Sequence, residues 1–313
     1  MSASPSRRVP ALISGGACLA LLAGCGSSSD SGGDGNGQTP VSSSAVSVVA
    51  STNVYGDIVK RIGGDHVEVT SIISDPSQDP HSYEANTQNQ LTLSKAKVVI
   101  ENGGGYDDFV DKMLKSGGNT SAEVINAVEV SGKTAPKGGE LNEHVWYDFP
   151  TVARIADRIA AVLSKADPAD AASFTQNAET FKTGLQSLEA KEAQIKKEHS
   201  GESVAITEPV PLYVIEASGL VNKTPEEFSE AIEEGDDVSP KVLQETLGLF
   251  SGKEVQALVY NEQTSGPQTE RTESAARSAG VPVVPVTETL PQGKDYLGWM
   301  TANVDALASA LDK

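Results

Sequence analysis

The chain has 313 residues, 38% hydrophobic and only 5% aromatic, with 43 acidic against 24 basic side chains and a formal net charge of −19. That balance argues against nucleic acid as a partner and against peripheral adhesion to anionic lipid. Both cysteines lie within the first 25 residues, so the remaining chain has neither disulfides nor thiolate metal sites.

Arg7 and Arg8 precede an apolar stretch from Ala11 to Leu22 that closes on Leu22-Ala23-Gly24-Cys25. Its length is too short to span a bilayer and its order is that of an export signal. The closing residues resemble a bacterial lipobox, so residues 1–24 are expected to be removed and Cys25 to be acylated as a membrane anchor. Residues 25–44 are then a leash of Gly, Ser, Asp, Asn and Pro, too polar to order itself, with a reach of about 25 Å.

From Ala45 onward short β-branched runs alternate with helical patterns, which predicts an α/β architecture. Strands are expected at Val46–Ala50, Val67–Ile73, Lys97–Ile100 and Ala122–Ile125, with a helix ending at Gly63-Gly64 and another from Tyr106 to Lys115. A helical segment follows from Pro150 to Ser164 and a second from Ala169 to about Glu198. At 1.5 Å per residue the second runs about 45 Å, and its many Lys, Glu and Gln residues describe a solvated spine. The α/β rhythm restarts at Ser203–Thr207, Val255–Tyr260 and Val281–Val286, and a helix from Tyr296 to Leu311 closes the chain. The expected division is a first lobe over 45–167, a linking helix over 168–200 and a second lobe over 201–313.

Open parallel sheets bind ligands beyond the carboxyl ends of their strands. Four potential metal ligands stand there, in a chain with only four histidines. His81 lies in Asp79-Pro80-His81-Ser82-Tyr83-Glu84, and His144 in Glu143-His144-Val145-Trp146-Tyr147-Asp148. Glu208 directly follows Thr207, and Glu288 comes two residues after Val286. Glu262, after Tyr260, competes with Glu288. His66 beside Gly63-Gly64-Asp65 reads as surface, His199 as a helix C-terminal cap favoured by the helix dipole, and Trp146 and Tyr83 as packing residues behind the ligand loops. Two imidazoles and two carboxylates suit Zn²⁺ or Mn²⁺, and affinity order alone does not choose between them.

The order of these landmarks resembles the zinc and manganese receptors among the solute-binding proteins of bacterial ABC transporters. The likeness rests on the lipobox, Asp-Pro-His-x-Tyr-Glu, an Asn-Gly turn after a strand, His-Val-Trp, a long helix and a terminal acidic loop, and it covers the whole mature chain. It implies two α/β lobes with mostly parallel sheets, joined by a rigid helix that permits only small closure, with the metal in the cleft between them. It implies ligand roles for His81, His144, Glu208 and Glu288. Two departures stand out: Asn142-Glu143-His144 replaces the usual Asp-Pro-His, and Ser131 to Leu141 contains no histidine-rich loop.

The expected function is therefore that of a lipid-anchored, monomeric receptor on the outer face of the cell membrane, delivering Zn²⁺ or Mn²⁺ to a permease driven by a separate ATPase. The chain has no Walker motif to serve as that ATPase itself. A metal-dependent hydrolase built on the same His and Glu set is the rival from another class, although no His-Glu-x-x-His occurs. A surface adhesin is the third reading.

Overall fold

Near-continuous apolar runs are the mark of strands covered on both faces, and the first lobe is built on them. In the computed structural model, which describes residues 45–75, 78, 83, 84 and 86–313, β1 (Val46–Thr52) lies between β2 (Val67–Ile73) and β3 (Val98–Glu101), and β4 (Glu123–Asn126) lies beyond β3. All pairings are parallel, with Val46 opposite Val67 and Val49 opposite Val99. β1 and β3 are buried almost throughout, whereas the edge strand β2 exposes Glu68 and Thr70.

The crossovers carry α1 (Asn53–Gly63), α2 (Thr87–Leu93) and α3 (Phe109–Gly117), and α4 (Ala127–Ser131) follows β4. The helix expected from Tyr106 begins at Phe109 because Asp107 is otherwise engaged. Its carboxylate accepts from the amides of Asn102 (2.6 Å) and Gly103 (2.8 Å), and this holds the Asn-Gly turn closed. Gly103 has φ +76°, and a Cβ there would stand 2.2 Å from the Asn126 side chain, so only glycine fits.

α5 (Phe149–Ala166) is N-capped by Asp148, which accepts from the Thr151 amide at 3.1 Å. α6 (Ala171–His199) is the linking helix, about 44 Å long at 1.5 Å per residue. It is less solvated than its composition implies. Phe174, Ala178, Phe181, Leu185, Leu188, Glu192 and Ile195 form a buried stripe at alternating spacings of four and three, the pattern of one helix face, and the polar residues occupy the rest.

The second lobe repeats the first. β5 (Ser203–Ile206) pairs with β6 (Val221–Asn222) and β7 (Leu258–Asn261), and β8 (Val283–Val286) forms the far edge, again all parallel. The strand expected from Val255 starts at Leu258, where its ladder with Val283 begins. Pro285 is tolerated because β8 is an edge and need not donate outward. The connecting helices are α7 (Leu212–Ala217), α8 (Glu226–Glu233), α9 (Pro240–Ser251) and α10 (Pro267–Ala279), and α11 (Tyr296–Leu311) packs back on α6.

A single hydrophobic cluster runs from β1 and α1 through α5, α6 and α11 into β5 and β8, so the lobes share a core. Polar ties reinforce it. Asn53 and Leu290 exchange two hydrogen bonds of 2.9 Å, and Tyr147 donates to the Thr287 carbonyl at 2.7 Å. No helix among the described residues is long and apolar enough to cross a membrane.

Candidate metal centre

The strand ends of both lobes converge on a buried group of donors. His144 is fully buried, and Glu208 and Glu288 are 2% and 1% exposed. Three of the four expected ligands are thus withdrawn from water; His81 lies outside the described residues, as does Cys25.

His144 is held by its own loop. Asn142 Oδ1 accepts from the His144 amide (3.1 Å) and lies 2.8 Å from Nδ1, while Asn142 Nδ2 donates to the Pro209 carbonyl (3.1 Å). Those partners fix which way the amide points, so Nδ1 carries the proton toward an acceptor and Nε2 faces the cleft, 3.8 Å from Glu288 Oε2. The departure from Asp-Pro-His therefore supplies an orienting amide. Asn102 at the glycine turn donates to the Glu143 carbonyl at 3.0 Å and ties this loop to β3. Trp146 and Tyr106 flank the imidazole, with ring centroids 5.1 and 6.0 Å away.

The two carboxylates come from parallel positions in the second lobe, just past β5 and β8. Asn261, the last residue of β7, donates to Glu208 Oε2 (2.7 Å) and Glu288 Oε1 (2.8 Å). Thr264 adds a 3.3 Å bond to Glu208, and Tyr106 donates to Glu288 Oε2 at 3.3 Å. Glu208 Oε1 is buried with no hydrogen-bond partner among the described residues. Burial, with the Glu288 charge beside it, pushes the Glu208 carboxyl up to about 8, against the opposing pull of Asn261, Thr264 and His144. For His144 burial acts downward, but Glu288, Glu233 and Glu143 outweigh it and raise the imidazole to about 9.

Glu233, at the end of α8, was not distinguishable in the sequence. Its Oε1 stands 3.6 Å from His144 Nδ1, and burial pushes it up to about 8 while His144 opposes. Ligand atoms of Glu143, His144 and Glu233 all lie within 4.8 Å of one another. Glu143 and Glu233 border a cavity of about 600 Å³ lined also by Gly104, Tyr106, Glu140 and Thr264, an acidic approach to the buried donors. Glu262 does not join the group: its side chain is exposed, and its amide continues the ladder to Val286. Tyr83 packs on Phe109 at 5.0 Å and accepts from Asn89, in keeping with a packing role. His199 closes α6 between Glu202 (3.2 Å) and Asp312 (3.3 Å).

Two parallel-sheet lobes spanned by one helix, with an imidazole and carboxylates gathered at their facing strand ends, make this a two-lobed α/β binding protein. The family described as zinc-uptake complex component A periplasmic, ZnuA, matches residues 48–310, and the chain belongs to that family. Over 172 residues it is 34% identical to the manganese-binding lipoprotein MntA of Bacillus subtilis (strain 168), an alignment covering 54% of this chain and 53% of that protein. The chain thus spans about half the length of that relative. With the manganese ABC transporter substrate-binding lipoprotein scaA of Streptococcus gordonii it shares 23% identity over 311 residues, 93% of this chain and 95% of the relative. The solved periplasmic zinc binding protein TroA from Treponema pallidum has the same fold, with a TM-score of 0.72 at 20% identity, covering 85% of this chain and 99% of that one.

Proposed function

We propose that the protein is the extracytoplasmic receptor of an ABC importer, capturing one Zn²⁺ or Mn²⁺ ion between its lobes and handing it to a membrane permease driven by a separate ATPase. The observation that carries this reading is the pair Glu208 and Glu288, both buried and held by one amide opposite His144 Nε2. Buried carboxylates are expensive to keep without a cation, and this pair has an imidazole beside it to complete a borderline donor set. His81 is the fourth ligand in this reading, delivered by the loop after β2. His144, Glu208 and Glu288 are the other three.

The rest of the reading follows from the leader and the relatives. Residues 1–24 are a signal peptide, Cys25 is the lipid anchor on the outer face of the cell membrane, and residues 25–44 are the leash. Lobes over 45–167 and 201–313 flank the helix over 168–200, and the receptor acts as a monomer. It does no chemistry on its cargo, a role consistent with the substrate-binding names of its relatives. The core shared between the lobes favours a small closure on binding.

The test is to strip the purified chain, expose it to equal Zn²⁺ and Mn²⁺, and count ions per chain by elemental mass spectrometry beside Glu208→Gln and His81→Ala. Tight binding in the parent, weakened in both variants, supports the site, and the retained element names the preferred cargo. Retention unaffected by either substitution would withdraw the reading.

A further inference from the structure

A second cluster of side chains of the types that ligate metals lies at the other end of the first lobe. His66 immediately precedes β2, whose seven residues separate it by about 23 Å from the strand ends that face the cleft. Asp167 follows α5 and Asp170 precedes α6, on either side of the Pro168-Ala169 turn. His66 Nδ1 is 2.9 Å from Asp170 Oδ2, and one ligand atom from each of His66, Asp167 and Asp170 lies within 4.8 Å of the others. The His66 ring stands edge-on to Phe174, with centroids 5.8 Å apart, so its plane is set by packing.

A simple ion pair accounts for His66 and Asp170 but leaves Asp167 unexplained. Asp167 is only 8% exposed, and its Oδ2 is buried with no hydrogen-bond partner among the described residues. A carboxylate oxygen taken from water without a donor is destabilising. We propose that His66, Asp167 and Asp170 form a second site, for a divalent transition cation, distinct from the cleft. One imidazole and two carboxylates are a borderline set, and zinc with bonds of about 2.0 to 2.2 Å spreads tetrahedral donors roughly 3.4 Å apart. The observed spacing reaches that with small side-chain shifts. His66 and Asp170 are partly exposed, at 38% and 25% of their side chains, which leaves room for water to complete the shell. Bound there, the ion clamps the root of α6 to the first lobe, beside the 2.9 Å bond from Asn177 to the Ile62 carbonyl.

This inference does not rest on the importer reading, and its test separates the two. The stripped full chain, dialysed against Zn²⁺ and counted by elemental mass spectrometry, should hold one ion more than Asp167→Asn or His66→Gln. In the His144→Ala background the same two substitutions should again remove one ion. Equal counts in parent and variants overturn the proposal. As a second readout, the His66 ring signals in the NMR spectrum of His144→Ala should shift on addition of Zn²⁺. Ring signals unmoved by Zn²⁺ would also overturn it.

Discussion

One nitrogen of Asn261 donates to both Glu208 (2.7 Å) and Glu288 (2.8 Å), so a single amide at the end of β7 sets the separation of two buried carboxylates from the loops after β5 and β8. Asn261 is itself fixed: its backbone amide donates to Thr207 Oγ1 at 2.9 Å and its Oδ1 accepts from the Gln263 amide at 3.1 Å. In the proposed receptor the donors would therefore stand in place before any ion arrives, and preorganisation of this kind lowers the cost of binding.

Asn261→Ala should weaken metal binding by about 10- to 100-fold, the usual effect of removing a group that orients metal ligands. Competition against a chromophoric chelator measures it. An unchanged affinity would mean that Glu208 and Glu288 are held by their loops alone.

Protonation should couple to both stability and binding. Glu208, with an ordinary value of 4.5, titrates near 8 in the folded protein, and Glu233 does the same. Between those values the folded state carries more protons than the unfolded one, so stability falls as pH rises from about 4.5 to 8. His144 is raised from 6.5 to about 9, so its contribution is full below 6.5 and is lost as pH climbs through 9. All three act in one direction. The metal-free protein should melt at progressively lower temperature from pH 6 to pH 9, while metal affinity rises over the same range because binding displaces protons. A metal-free melting temperature that rises toward pH 9 would contradict these assignments.

Much of this site could be read from the chain, for reasons particular to each residue. His144 stood out because histidine is scarce here, and Glu208 and Glu288 because they follow apolar runs that could only be buried strands. Glu233 carried no such flag. It is one of several acids in Glu226 to Glu234, and only the packing of α8 beside the His144 loop selects it. Asn142 and Asn261 were hidden for another reason: neutral amides position ligands through directed hydrogen bonds, which leave no trace in charge or hydropathy. Of the fold, the long helices and every strand but the two-residue β6 are legible from periodicity. The short helices α2, α4 and α7 and the helices α8 to α10 are not among the expected elements, although Ser239-Pro240 and Gly266-Pro267 are serviceable helix starts.

Trp146 offers an optical handle. It packs against Tyr55, Tyr106, His144 and Tyr147, and its indole Nε1 is buried with no hydrogen-bond partner among the described residues. Trp146→Phe therefore loses ring area but no hydrogen bond, whereas Trp146→Ala opens a cavity and should cost about 3 to 5 kcal/mol. Because the indole lies 5.1 Å from the His144 ring, metal binding should change the intrinsic fluorescence, and Trp146→Phe should abolish most of that change. A signal that survives the substitution would have to come from Trp299.

Glu192 breaks the apolar stripe of α6, at a position the helix spacing assigns to the core, and it is 5% exposed. Burial, followed by the charges of Glu189 and Asp148, pushes its carboxyl from 4.5 up to about 8. A raised acid destabilises the fold progressively as pH rises between those two values, because the unfolded chain ionises first. Leucine at this position has a similar volume and nothing to ionise. Glu192→Leu should therefore stabilise the protein by an amount that is small at pH 5, grows with pH and levels off above about 8, as read from thermal melts of the metal-free chain. A gain independent of pH would instead mean that the carboxyl ionises alike in the folded and unfolded chain, and would assign the effect to packing. The site and the spine can be separated in the same experiment: none of the cleft donors is among the charges that shift Glu192, so the substitution should raise stability without changing which metal is retained.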